Sequence, residues 1–138
     1  MQLFNWSQEL SVNIKEIDEQ HKKLIGLINH LFDAMLEGKT QKLINDIVDE
    51  LINYAEYHFN TEEKYFALHN YPESQQHAVQ HSFYKDEILQ FKKELLHGKS
   101  TVPMDVFNFL KDWLTEHIMQ SDKKYALYFS EKGVFDKE

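Results

Sequence analysis

The sequence predicts an all-α protein: an up-down-up-down antiparallel four-helix bundle with an N-terminal arm and a short C-terminal helix or tail. Three observations predict it. The 138 residues hold only four glycines and two prolines, and strand-like alternation is scarce; that composition favours helices over a sandwich or barrel. Apolar residues recur at helical spacing in four long stretches. Short punctuating segments separate those stretches, and short loops make sequential helices antiparallel neighbours.

The arm covers residues 1–17, and the first helix is expected over about residues 18–37. Ile17, Leu24, Ile25, Ile28, Leu31, Phe32 and Met35 form its stripe, and His21 shares that face. Gly38 reads as a helix stop, with Lys39 and Thr40 leading into an N-cap. The second helix, about residues 41–67, carries Ile44, Ile47, Val48, Leu51, Ile52, Ala55, Phe59 and Phe66 on the face of His58 and Glu62. Asn70-Tyr71-Pro72-Glu73 breaks the chain, and Pro72 is expected in the first turn of the next helix. That third helix, about residues 72–97, continues the face of His77 and His81 through Tyr84, Ile88, Phe91 and Leu95. Gly98 to Pro103, with Ser100 and Thr101, again reads as stop, cap and start. The fourth helix, about residues 103–120, flanks His117 with Val106, Phe109, Leu110, Trp113, Leu114 and Ile118. The tail, 121–138, has Tyr125, Tyr128, Phe129 and Phe135, expected to pack within the chain. A single domain of this length can bury a sizeable core.

Composition excludes several functions. A net charge of -8 argues against nucleic acid, because phosphate binding needs clustered Lys and Arg. The absence of cysteine removes disulfides, iron–sulfur clusters, thiolate zinc sites and cysteine nucleophiles. No segment approaches the ~20 apolar residues of a membrane span, and the first twenty residues have no signal-peptide core. A cytoplasmic monomer is the expectation.

Eight histidines are the unusual feature. His58 and Glu62 lie four residues apart, as do His77 and His81, so each pair stacks on one helix face where both members can reach one metal. His21 adds one ligand from the first helix; His117 and Asp122 add two from the fourth. Polar groups on core faces are costly unless something satisfies them. Five imidazoles and two carboxylates exceed the needs of one ordinary ion and suit two positions bridged by both carboxylates. Iron, manganese, zinc and copper all accept this donor set. Taken singly, each residue has a plainer explanation: a core histidine bonded to a carbonyl, a solvated Glu62, a capping Asp122. The joint pattern does not. His30 lies off its stripe, and His69 and His97 sit at helix ends, where a histidine helps the last carbonyls; these three read as structural. One spacing is awkward. Residues five apart on an α-helix do not share a face, so the chain between His117 and Asp122 is expected to widen or end, for example as a π-turn.

The residues that carry this pattern resemble the hemerythrins, in particular the single-domain bacterial form. The match runs from Phe4-Asn5-Trp6 through Ile17-Asp18-Glu19-Gln20-His21-Lys22, His58-Phe59 with Glu62-Glu63, and Tyr71-Pro72-Glu73 with His77 and His81. It ends at Trp113-Leu114, His117-Ile118 and Ser121-Asp122. Asn13 departs from it, where many members carry glycine. The resemblance implies two iron ions with a bridging oxo or hydroxo group. His77, His81 and His117 would hold one iron, His21 and His58 the other, and Glu62 and Asp122 would bridge. It further implies reversible binding of dioxygen at the two-histidine iron, and a binding protein rather than an enzyme. Leu24, Phe59, Trp113, Leu114 and Ile118 are the expected walls of the oxygen pocket, since an apolar wall excludes water without offering competing ligands. Gly26, inside the first helix, is read as a point of close helix packing. An oxygen or redox sensor, or a di-iron enzyme handling peroxide or nitric oxide, is the alternative. The single Glu-x-x-His pair, Glu94 and His97, sits at a helix end, away from the ligands.

Overall fold

The computed structural model describes residues 5–38, 41–99 and 101–133, and among these the chain forms five α-helices and one π-helical segment. After a short 3-10 turn at Gln8–Leu10 come α1 (Lys15–Leu36), α2 (Gln41–His69), α3 (Ser74–Leu96) and α4 (Val102–Asp112). The π segment (Trp113–Asp122) and α5 (Lys123–Glu131) complete it. No strand occurs among the described residues. Helices α1 to α3 and the α4–π unit make the four members of the bundle, with α2 packed against both α1 and α3, and α4 closing onto both.

The ends of the helices follow from backbone chemistry. Asn70 lies in the left-handed region at φ 55°, and the Tyr71 amide reaches back to the Phe66 carbonyl at 3.0 Å. The Phe66 and Tyr71 rings meet at 5.0 Å, completing the hydrophobic contact of a Schellman close. At the end of α3, Gly98 (φ 81°) repeats the motif, with Lys99 N bonded to Glu94 O at 3.1 Å and Gly98 N to Leu95 O at 3.0 Å. His97 adds its Nδ1–H to the Lys93 carbonyl at 2.8 Å.

Several boundaries differ from the expected ones. Helix α1 begins three residues earlier, because Asp18 anchors the arm across its start: Ser11 Oγ and the Val12 amide both donate to its carboxylate, at 2.6 and 2.9 Å. Pro72 and Glu73 lie in a turn and α3 starts at Ser74, since the Schellman close carries the chain past the proline before a new helix can begin. Asn13 sits at φ 61°, a conformation glycine adopts freely and asparagine tolerates. The capping role read for Lys39 and Thr40, the loop position of Ser100, and Phe4 and Phe135 lie outside the described residues.

The core has two parts. One cluster holds Leu24, Ile28, Tyr54, Phe59, Tyr84, Val106, Trp113, Leu114 and Ile118, among others. The other joins the arm to the tail through Val12, Ile14, Ile17, Phe66, Tyr71, Tyr125 and Phe129. Tyr125 and Phe129 are fully buried, and Tyr128 donates its hydroxyl to the carbonyls of His69 and Asn70 at 3.0 and 3.2 Å. The tail is thus part of the bundle. Gly26 is exposed, and a Cβ there would meet nothing within 4 Å, so it is not a point of close packing. No helix among the described residues is long and apolar enough to cross a membrane.

Candidate metal centre

Among the described residues ten polar or charged side chains are buried, and seven of them are the candidate ligands. His21, Glu62 and Asp122 are fully buried, while His58, His77, His81 and His117 are 1–4% exposed. Each helix contributes as the spacing anticipates. His58 and Glu62 come from neighbouring turns of α2, His77 and His81 from neighbouring turns of α3, and His21 from the inward face of α1. The π segment resolves the five-residue problem. Its i→i+5 geometry brings residues five apart to nearly the same face, and His117 Nε2 lies 3.1 Å from Asp122 Oδ1.

The donor atoms fall into two groups. Glu62, His77, His81 and His117 make one; His21, His58, Glu62 and Asp122 make the other, and within each group the donor atoms lie within 4.8 Å of one another. The carboxylates join the halves. Asp122 turns Oδ1 to His77 at 2.8 Å and Oδ2 to His21 at 3.1 Å. Glu62 Oε1 lies 2.9 Å from His81 Nε2 and 3.5 Å from His58 Nε2, while its Oε2 accepts a hydrogen bond from the Tyr125 hydroxyl.

A second ring of residues orients the first. His58 Nδ1–H donates to Gln20 Oε1 at 2.6 Å, and His117 Nδ1–H to Gln80 Oε1 at 2.5 Å. His81 Nδ1–H donates to Glu63 Oε2 at 3.1 Å. Gln20 gives its amide hydrogen to Thr61 Oγ1 at 3.1 Å, which leaves its oxygen for the histidine. With Nδ1 protonated, Nε2 of each ring presents a lone pair inward. Glu62 Oε1, Asp122 Oδ1 and Nε2 of His77, His81 and His117 are buried without a hydrogen-bond partner among the described residues, although they crowd within 2.8–3.7 Å of each other. Lone pairs facing lone pairs at such distances repel unless cations lie between them. Protons or metal ions can fill that role, and the donor set fits metal.

The electrostatics of the metal-free chain say the same. Burial opposes charge on Glu62 and the Asp122 carboxylate adds to that, yet His58, His77 and His81 outweigh both and hold Glu62 well below the usual carboxylate range. Burial opposes charge on Asp122 too, and His117, His21 and His77 hold it well below the usual carboxylate range. Burial alone would lower His77, but Asp122 and Glu62 raise it to about 9; the same balance raises His21. Burial drives His58 down to about 3.

The five expected pocket walls are all buried in one apolar cluster, but two of them have a more specific place. Phe59 lies flat on His81, ring centroids 3.8 Å apart and 5° from parallel. Trp113 lies flat on His117 at 3.9 Å and 12°. Both therefore stack on the three-histidine half; Phe59 also meets His58 of the other half at 5.7 Å, where Tyr54 stacks on that ring at 5.1 Å. The orienting residues Gln20, Gln80, Glu63 and Tyr125 were not anticipated. A signal existed: the first three each adjoin a ligand in sequence (His21, His81 and Glu62). A neighbour along a helix points about 100° away, so each serves a ligand on the adjoining helix.

Comparison with known proteins agrees with this geometry. A family model, the hemerythrin HHE cation binding domain, matches residues 12–128. A bacteriohemerythrin of Clostridium acetobutylicum is 30% identical over 128 residues, covering 89% of this chain and 98% of its own. A hemerythrin-like protein of Naegleria gruberi is 35% identical over 122 residues, 88% of this chain and 90% of its own. The solved structure of a wild-type hemerythrin superposes with a TM-score of 0.83 at 29% identity, covering 91% of this chain and 96% of that one.

Proposed function

The chain belongs to the hemerythrin family, and from that membership we propose that it binds dioxygen reversibly at a centre of two iron ions. The observation that carries the reading is the inequality of the two donor groups. His77, His81 and His117 would hold one iron, and His21 and His58 the other, with Glu62 and Asp122 between them. The second position has one imidazole fewer, which leaves room for a guest. When bound, a pair of irons can lend two electrons to a guest and take them back.

What the chain's own residues do follows from their placement. Gln20, Gln80 and Glu63 keep the rings aimed, so the donor atoms stay converged. Tyr125 holds one oxygen of Glu62 and leaves the other for the centre. Leu24, Leu114 and Ile118, with Phe59 and Trp113, exclude water and reductants, and thereby favour release of the guest unchanged over its consumption. Imidazoles outnumber carboxylates five to two, which suits binding better than oxidation chemistry. Since the tail aromatics Tyr125 and Phe129 are spent inside the bundle, we take the monomer as the working unit.

Anaerobic reduction of the iron-loaded protein, then oxygen, then argon, tests the reading by visible absorption. An absorption that appears with oxygen and disappears on purging is expected. One that bleaches at once and does not return would favour a peroxide- or nitric oxide-handling enzyme, or a sensor, instead.

A further inference from the structure

The chain has seven tyrosines, and it treats two of them differently from the rest. Tyr125 bonds to Glu62, Tyr128 to two carbonyls, Tyr65 to Glu16 and Tyr71 to Glu73; Tyr57 is exposed. Tyr54 and Tyr84 are 4% and 0% exposed, and their hydroxyls are buried with no partner among the described residues. A buried hydroxyl left unbonded keeps its full desolvation cost with nothing to offset it. Phenylalanine would fill the same space without that cost.

Both orphans belong to the same apolar cluster, the one that includes Leu24, Leu114 and Ile118. Tyr54 is one turn before His58 on α2, stacked on its ring. Tyr84 is one turn after His81 on α3. Phe59 links them, 5.7 Å from His58 and edge-on to Tyr84 at 5.3 Å. Tyr125, the tyrosine that does find a partner at the centre, belongs to the opposite cluster. The two tyrosines with unbonded hydroxyls therefore belong to the cluster that contains the apolar walls.

Building on the reading of a two-iron centre with room for a guest, we propose that Tyr54 and Tyr84 are hydrogen-bond donors to that guest. The guest class they select is a small anion of two or three heavy atoms, bound to metal through one end and accepting hydrogen bonds at the other. An apolar chamber admits small neutral molecules without preference. Two phenols in it favour a guest that carries negative charge.

Azide is the probe, titrated into the oxidised, iron-loaded protein and followed by visible absorption and by its infrared stretch. Tyr54→Phe and Tyr84→Phe are each expected to weaken azide about ten-fold, the size of one hydrogen bond, to shift the stretch, and to weaken it further together. The urea midpoint without azide is expected to stay level or rise, since each change removes an unsatisfied group. A lower midpoint with unchanged azide affinity would mean that the hydroxyls serve the fold, and would overturn the proposal. So would unchanged affinity and stretch in all three variants, or a wild-type protein that holds two irons and binds no azide. A wild-type protein that takes up no iron would overturn the function proposed above, and this inference with it.

Discussion

His58 shows how much of this site is decided one side chain at a time. Its Nδ1–H is held by Gln20, its face by Tyr54, and its Nε2 lies 3.1 Å from that of His21. The ligand itself was legible in the sequence because a histidine on an apolar stripe needs a reason. Gln20 was not, because it works across the gap to another helix, and one sequence does not say which faces meet. Glu62 shows the same limit: alone beside Glu63 and Lys64 it reads as solvated, yet it is fully buried. The apolar wall is testable at this scale. Ile118 is 1% exposed and adjoins His117, so Ile118→Glu puts a carboxylate into the cluster that keeps water away. The oxygen-dependent absorption is expected to decay roughly 10–100-fold faster in a time course at fixed temperature. An unchanged lifetime would remove Ile118 from the wall.

Helix α1 carries a glycine that nothing requires. Gly26 is helical and exposed, and a Cβ there would meet open space. Gly26→Ala is therefore expected to stabilise the protein by about 1 kcal/mol, read as a higher urea midpoint with metal content unchanged. The packing role expected from sequence failed because a glycine in a helix reports its cost, not which way its face turns. Other element-scale features were easier to read. The five-residue step from His117 to Asp122 demanded a wider helix, and the chain supplies one across Trp113–Asp122. The start of α3 was less legible: proline marked a beginning, but Asn70 and the Phe66–Tyr71 contact shaped the turn, and such closing motifs depend on backbone angles that composition does not state.

As a whole the molecule is two apolar clusters separated by a polar layer of seven ligands, so the layer's protonation bears on stability. The metal-free chain has opposing demands. His77, raised from 6.5 to about 9, contributes stability that is full below pH 6.5 and lost as pH rises through 9; His21, also raised, acts in the same direction. His58, lowered to about 3, contributes stability that is full above 6.5 and lost as pH falls, and the depressed Glu62 and Asp122 add to that acid-side loss. The urea midpoint of metal-free protein is thus expected to peak near pH 6.5. Metal loading should raise it and flatten the alkaline side, because metal then replaces the protons. A metal-free midpoint that climbs steadily from pH 6.5 to 9 would contradict this balance. The four-helix architecture and the place of the layer were legible from stripe and spacing; the division of the core was not, since it depends on how the arm and tail fold back together.

The π segment also constrains how the gene can change length. Each residue of an α-helix advances the chain by about 100°, so gaining one codon between His117 and Asp122 would set them six apart, a step that neither an α- nor a π-turn brings back to one face, and would swing everything after it. Asp122 would leave the centre, and Tyr125 and Phe129 would leave their seats in the arm–tail cluster. The connection at Gly98 and Lys99 lies on the exposed surface, where insertions and deletions are absorbed. Among natural variants of this chain, length differences belong in such connections, while the stretch between His117 and Asp122 should accept no insertion even where its other identities drift.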